Sequence, residues 1–151
     1  ASMKVFDLIG YAITSSSPNE AKPNQFFLSK DKVVINRDRQ LTTAIELLNN
    51  IESNYIKPSE PVFRLGGSSV KDKMFEKLEK LYSEKKIMDH SLEVGKQIAF
   101  VLSGGDTNMN SDLTEDDLYN LELEAFMRLI QMPKTQERIK HTLETGKPLV
   151  N

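Results

Sequence analysis

The side chains best spaced for chemistry lie in residues 106–117, where an oxygen-bearing residue occurs at every second position. Carboxylate, amide and hydroxyl oxygens at this spacing wrap a calcium ion in EF-hand loops. Two positions depart from that pattern. The sixth is Ser111, where the tight turn needs Gly, and the twelfth is Asp117, where a longer Glu normally binds through both oxygens. We therefore favour a solvated polar loop that leads into a helix N-cap, and we predict no metal site.

The other residues with catalytic potential do not form a recognisable set. His90 and His141 are far apart in sequence and stand beside surface-type residues, so we expect both on the surface. Glu122 and Glu124 fall on different faces of one helix and make a poor acid–base pair. Residues 65–69 are glycine-rich but lack the Gly-Lys-Ser/Thr ending of a phosphate-binding loop, which favours a plain loop and N-cap. We predict no catalytic residue in this chain.

Composition excludes several classes of protein. The 151 residues include no cysteine, which removes disulfides, thiolate metal sites and cysteine nucleophiles. With a formal net charge of -2, the chain lacks the excess positive charge that is typical of proteins that bind nucleic acid or an anionic membrane surface. No apolar run approaches the ~20 residues of a bilayer span. Ala1 and Ser2, which precede Met3, are typical of a cloning remnant. We expect one cytoplasmic domain.

Hydrophobic periodicity predicts a mainly α fold, with about five amphipathic helices behind a short, irregular and partly extended N-terminal region. Apolar residues recur at three- and four-residue steps after each of five starting residues: Asp38, Ser69 and Asp89, which we predict to be N-caps, and Thr114 and Pro133. Residues 33–35, Val-Val-Ile, are β-branched and bounded by turn residues, which predicts a short strand. Pro58 and Pro61 end the first helix and predict a stiff connection.

Several stretches share a pattern with known enzymes. Residues 121–129 read Leu-Glu-Leu-Glu-Ala-Phe-Met-Arg-Leu, a new helix starts at Pro133, and residues 144–148 read Glu-Thr-Gly-Lys-Pro. This ending resembles the tail of the crotonase (enoyl-CoA hydratase/isomerase) superfamily. Residues 33–39 and 100–106 resemble bacterial 3-hydroxyacyl-CoA dehydrogenases in which a hydratase-like domain follows the NAD-binding part.

This resemblance implies the helical tail of a crotonase fold. Residues 3–57 would be the end of the hydratase-like core, residues 58–67 a linker, and residues 68–151 the C-terminal helical region. The hydratase groups and the NAD site would belong to a parent enzyme of fatty acid β-oxidation, since this chain has no G-x-G-x-x-G fingerprint. The chain itself is therefore expected to hold no cofactor and to be inactive alone.

The resemblance also implies a contact with coenzyme A. In such tails an aromatic residue and a lysine touch the CoA adenine of a neighbouring subunit, so a homo-oligomer and an acyl-CoA ligand are expected. Phe126 occupies the aromatic position. The usual lysine is Thr145 here, and Lys147 lies two residues later. The simpler roles are core packing for Phe126 and a solvated charge after the last helix for Lys147.

The sequence leaves two interpretations of the function of this chain. The first is the tail of a 3-hydroxyacyl-CoA dehydrogenase, which supplies subunit contacts and covers the acyl-CoA site. The second is a small helical binding module, calcium-responsive through residues 106–117. Under the first interpretation the sheet that the helices cover is missing, which predicts exposure of four apolar residues: Phe6, Ile9, Phe26 and Phe27.

Overall fold

The computed structural model, which describes residues 2–51 and 55–151, confirms a mainly α-helical chain. The described residues form seven α-helices rather than five, together with two short strands. The elements are α1 (Ser2–Gly10), α2 (Pro18–Asn24), α3 (Gln40–Ile51), β1 (Phe63–Arg64), α4 (Gly67–Ser83), α5 (Asp89–Ser103), β2 (Asp112–Leu113), α6 (Glu115–Ile130) and α7 (Pro133–Thr145). None of the helices in the described ranges combines the length and the apolar character that crossing a bilayer requires.

The chain divides into two compact units. The first comprises Glu60–Asn151 together with the N-terminal segment that ends at Ile13, and the second is Thr14–Ser59. The first unit therefore contains α1, both strands and α4 to α7, and the second contains α2 and α3.

The core of the first unit lies where α1, α4 and α5 meet. Its buried members are Phe6, Met74, Leu78, Leu92 and Ala99. Gly95 lets α4 and α5 approach closely, because a Cβ at this position would lie 2.5 Å from Leu78 Cδ2. The prediction that Phe6 is exposed is wrong, since α1 is an amphipathic helix whose Phe6 enters this core. Ile9 and Phe26 are exposed as predicted, while Phe27 is half-buried.

The second unit holds helix α2 where the sequence suggested irregular structure. Ser17 caps α2 because its hydroxyl accepts a hydrogen bond from the Glu20 backbone N–H, and Pro18 occupies the first turn. Gln25 ends the helix in the left-handed conformation, with its N–H directed to the last carbonyls. Ser17, the last residue of the serine run, and Pro18 therefore initiate a helix.

The strand predicted at residues 33–35 is wrong. These residues have no regular structure, and no strand pairs with them within residues 2–51 and 55–151, whereas a strand needs a partner for its backbone hydrogen bonds. The predicted N-cap at Asp38 is also wrong, because the Asn36 side chain accepts the Asp38 N–H at 3.0 Å and caps a 3-10 turn instead. Helix α3 follows that turn, and none of its residues is buried.

Helix ends in the first unit agree better with the sequence. Thr114 caps α6 through a capping box with Asp117, and Pro133 opens α7. The predicted cap at Ser69 is wrong, since α4 already begins at Gly67. Asp89 is the first residue of α5 rather than its cap. Strands β1 and β2, which the sequence did not predict, pair antiparallel, with Phe63 opposite Leu113 and Arg64 opposite Asp112.

Candidate functional site

An apolar groove of about 320 Å³ lies along α5 and α6, and we call it the α5/α6 groove. The residues that line it are Ile9, Gln97, Ile98, Val101, Leu102, Glu122, Ala125, Phe126 and Leu129. The α6 members recur at three- and four-residue steps, so they share one face of that helix. Ala125 is small and buried, which allows α6 to pack closely on α5.

Phe126, the predicted CoA contact, lies in this groove. Phe126 is 48% exposed, so it is not the core residue that the simpler interpretation required. Large apolar side chains half-exposed in a concave apolar surface are common where ligands or partners bind.

Lys147, the second predicted contact, is not among the residues that line the groove. It is exposed beyond the end of α7, and its backbone N–H donates to Thr145 Oγ1 at 3.2 Å. The structure therefore places Phe126 and Lys147 at separate positions of the first unit. Gly146 ends α7 in the left-handed conformation, and the Lys147 carbonyl oxygen accepts from Thr142 Oγ1 at 3.4 Å, so the chain turns back along the last turn of α7.

Gln97 is the polar feature of the groove that the sequence analysis missed. Its Oε1 is buried and has no hydrogen-bond partner within the described ranges. A buried acceptor without a donor costs free energy, so this amide favours a ligand that supplies an N–H or O–H group. The sequence pattern that could have identified Gln97 is its position in an apolar stripe, three residues after Val94 and four before Val101.

The two glutamates that the sequence analysis considered, Glu122 and Glu124, both lie on α6. Glu122 lines the groove, whereas Glu124 forms an ion pair with Arg128 one turn later. The Arg128 guanidinium also stands 4.9 Å from the centre of the Phe100 ring, a cation–π arrangement. The two glutamates thus have different surroundings, which agrees with their predicted placement on different faces.

Three carboxylates of residues 106–117 are engaged by groups of the chain itself. Asp106 Oδ1 accepts from Lys71 Nζ at 2.7 Å, and Asp112 Oδ1 accepts from Arg64 Nε at 2.6 Å. Each basic partner lowers the pKa of its aspartate, with the hydrogen bond as the larger cause.

Asp117 is engaged in a different way, because hydrogen bonds from the Thr114 backbone and hydroxyl lower its pKa. Among residues 2–51 and 55–151, no group of three or more potential metal-binding side chains converges. The arrangement is that of a polar loop closed by ion pairs that leads into the helix cap at Thr114.

The histidines occupy unlike environments. His90 is 4% exposed, so its predicted surface position is wrong, and its Nε2 lies 2.8 Å from Thr135 Oγ1. Burial, followed by the charges of Arg138 and Lys134, lowers the pKa of His90. His141 is half-buried. The surface position of His90 was predicted from its polar neighbours in sequence, Asp89 and Ser91. These residues point to other sides of α5, so they do not indicate the exposure of His90.

Comparison with known proteins gives one similarity along the whole chain. A Bacillus subtilis (strain 168) protein described as "Probable 3-hydroxyacyl-CoA dehydrogenase" is 28% identical over 152 residues, which cover 100% of this chain and 19% of that protein. The chain therefore spans about a fifth of the relative's length. This similarity supports a 3-hydroxyacyl-CoA dehydrogenase-like region. No family model matches, and no solved structure matches.

Proposed function

We propose that this chain is a helical region of a fatty acyl-CoA-processing enzyme of the 3-hydroxyacyl-CoA dehydrogenase type. Its role is to cover the acyl-CoA and to contact a neighbouring subunit, and the reacting groups and NAD belong to other parts of that enzyme. The observation that carries the proposal is the similarity of the whole chain to the Bacillus subtilis protein. The groove that contains Phe126 supplies a surface suited to this role.

The groove has the chemistry that an aliphatic acyl chain requires. Its walls are mostly isoleucine, valine, leucine, alanine and phenylalanine side chains, and burying each CH₂ group contributes about 0.8 kcal/mol. Phe126 is the aromatic residue in the lining of the groove, and its half-exposed side chain is available for this contact. Lys147, exposed beyond α7, is proposed to attract a phosphate of the CoA portion from outside the groove.

Binding of dodecanoyl-CoA to the chain, measured by calorimetry below the micelle concentration of the ligand, tests this proposal. We expect saturable binding that free CoA does not reproduce, because the acyl chain supplies the apolar contact. Phe126→Ala should weaken binding about tenfold, which corresponds to ~1.4 kcal/mol. Tyr119→Ala is the matched control, since Tyr119 is an exposed aromatic residue of the same helix outside the groove.

Two outcomes would contradict the proposal. If dodecanoyl-CoA does not bind, an acyl-CoA is not a ligand of this chain. If wild type and Phe126→Ala bind dodecanoyl-CoA equally, the α5/α6 groove is not the binding site. A separate assay of crotonyl-CoA hydration and of NAD-dependent oxidation should give only background rates. Activity above background in a preparation free of contaminating enzyme would show that the chain performs chemistry itself.

A further inference from the structure

A pocket of about 440 Å³ lies within the second unit. Its lining residues fall between Lys32 and Glu46, so we call it the 32–46 pocket. Part of the lining is the aliphatic segment 33–35, and the rest comes from the 3-10 turn before α3 and from the first two turns of that helix. Pockets that hold small molecules measure about 300–1,000 Å³, so a small metabolite fits here.

Two basic side chains, Lys32 and Arg39, line this pocket, and no other group of the chain holds them. Neither forms an ion pair or a side-chain hydrogen bond with any residue in the ranges 2–51 and 55–151. Lys71 and Arg64 of the first unit are instead paired with aspartates. Two long, flexible cations without partners can turn toward one ligand, and together they favour a doubly charged anion such as a phosphate monoester.

The other polar side chains of the lining suit hydroxyl groups better than a second phosphate. Glu46 follows Arg39 by seven residues, which is roughly 10 Å along a helix axis. Within the described ranges Glu46 has no ion-pair partner, so its carboxylate repels anions and accepts hydrogen bonds from hydroxyl groups. Thr42 and Thr43 also line the pocket, and a threonine hydroxyl both donates and accepts.

We propose that the 32–46 pocket binds a sugar phosphate, with its phosphate on Lys32 and Arg39 and its hydroxyl groups on Glu46 and the two threonines. The aliphatic segment 33–35 packs against the C–H groups of the sugar. This site is separate from the proposed acyl-CoA site, since it lies wholly within the second unit and includes no residue of the α5/α6 groove.

Glucose 6-phosphate is the probe that tests the pocket, with inorganic phosphate and glucose as ligands that each lack one of its two features. Calorimetry on the full chain should give saturable glucose 6-phosphate binding with a dissociation constant of about 1 mM or tighter. Inorganic phosphate should bind at least about tenfold more weakly, because it brings no sugar hydroxyls, and glucose should be weaker still. No glucose 6-phosphate binding, or equal affinity for glucose 6-phosphate and inorganic phosphate, would overturn the proposal.

Free CoA separates this site from the phosphate contacts of an acyl-CoA. The ribose of CoA keeps a single free hydroxyl group, so CoA should not displace glucose 6-phosphate. Displacement by CoA at an equal concentration would make the pocket a site for the CoA phosphates and overturn the sugar phosphate. Failure of dodecanoyl-CoA to bind would leave this proposal intact, because the two ligands bind to different units.

Two pairs of substitutions assign the binding to this pocket. Lys32→Met and Arg39→Met each keep an apolar stem and remove one charge of the lining, so glucose 6-phosphate affinity should fall at least about tenfold. Lys30→Met and Arg37→Met are the matched controls, since each removes the same charge two residues away at an exposed side chain outside the lining. These controls should leave the affinity unchanged. Equal losses in both sets would show a general charge effect and overturn the site.

Glu46→Gln tests the sugar end of the pocket without removing a cation. The substitution removes the repulsion of the phosphate and replaces a charged acceptor by a neutral one. Inorganic phosphate should therefore bind more tightly, and the preference for glucose 6-phosphate over inorganic phosphate should shrink at least about threefold. An unchanged preference, in a chain with the helical circular dichroism of the wild type, would overturn the assignment of the hydroxyl groups to Glu46.

Discussion

The imidazole of His90 joins the buried side of α5 to the first turn of α7, with Nε2 at 2.8 Å from Thr135 Oγ1. Helix α7 contains no buried residue of its own. It is held on α5 by this contact and by the hydrogen bond from Arg138 to Ser91. These two contacts between α5 and α7 are polar, and one of them involves a buried histidine.

Stability should fall as the pH drops below the ordinary pKa of histidine, near 6.5. Burial and the neighbouring cations lower the pKa of His90 in the folded chain, so the unfolded chain takes up a proton first. The stabilisation is complete above pH 6.5 and is lost progressively toward the folded-state pKa. Urea unfolding between pH 8 and 5 measures it. His90→Gln should flatten that profile, whereas His141→Gln should keep the wild-type slope. An unchanged slope in His90→Gln would show that other groups are responsible.

Thr114→Ala should destabilise the chain by about 1 kcal/mol. The Thr114 hydroxyl accepts the Asp117 N–H at 3.2 Å, and losing an N-cap leaves that donor of the first turn without its partner. Thermal or urea unfolding measures the loss. Ser69→Ala is the matched control, because the sequence suggested a cap there but α4 begins two residues earlier. Equal losses at Thr114 and Ser69 would mean that the capping box contributes nothing specific.

Gly95→Ala should also destabilise the chain, by roughly 1 kcal/mol, because the new methyl group overlaps Leu78 Cδ2. Gly10→Ala provides the contrast. It adds a methyl group in open space at the end of α1, and alanine favours helix over glycine by up to about 1 kcal/mol. We therefore expect opposite signs of the change in unfolding free energy. A neutral Gly95→Ala would show that Leu78 moves aside freely.

The sequence predicted the elements whose signals are local. Thr114 with its acidic first turn, Pro133, and the stripe of α6 identify helices from consecutive residues, and the structure confirms them. The burial of Phe6 could not be predicted, because its partners Met74 and Leu78 are about 70 residues away and no local pattern names them. The strand at residues 33–35 failed for the same reason, since strand formation depends on a partner that the sequence does not identify.

The candidate site was predicted only in part. Phe126 was selected by resemblance and lies in the α5/α6 groove, whereas Lys147 lies elsewhere. Gln97 was missed because a single polar residue in an apolar stripe also suits a solvated helix edge. Only the packing of α6 on α5 shows that its Oε1 is buried.

Calcium should not stabilise the chain. Binding at residues 106–117 would have to displace Arg64 from Asp112 and Lys71 from Asp106, and it would have to break the hydrogen bonds that the Asp117 carboxylate accepts from Thr114. We expect an unchanged melting temperature between excess chelator and about 1 mM calcium, a concentration that saturates sensor-type sites. A calcium-dependent rise that disappears in Asp112→Asn would revive the calcium-responsive module.

We expect copies of the chain to associate through α6 and α7. Several apolar side chains on these two helices are exposed, namely Leu123, Phe126, Met127, Ile139 and Leu143. Burying a leucine or methionine fully contributes about 1.5–3 kcal/mol, so pairing of two copies through this surface is favoured. Sedimentation at micromolar concentration should show a dimer or larger species.

Leu143→Glu should shift that population to monomer, because it places a charge in the proposed contact. Leu41→Glu is the matched control, since it adds the same charge at an exposed leucine of α3 in the second unit. If Leu41→Glu dissociates the species and Leu143→Glu does not, the contact belongs to α3. If the wild-type chain is a monomer and binds no hydrophobic dye, the exposed apolar residues do not form an interaction surface. That result would contradict the subunit contact in the proposed function.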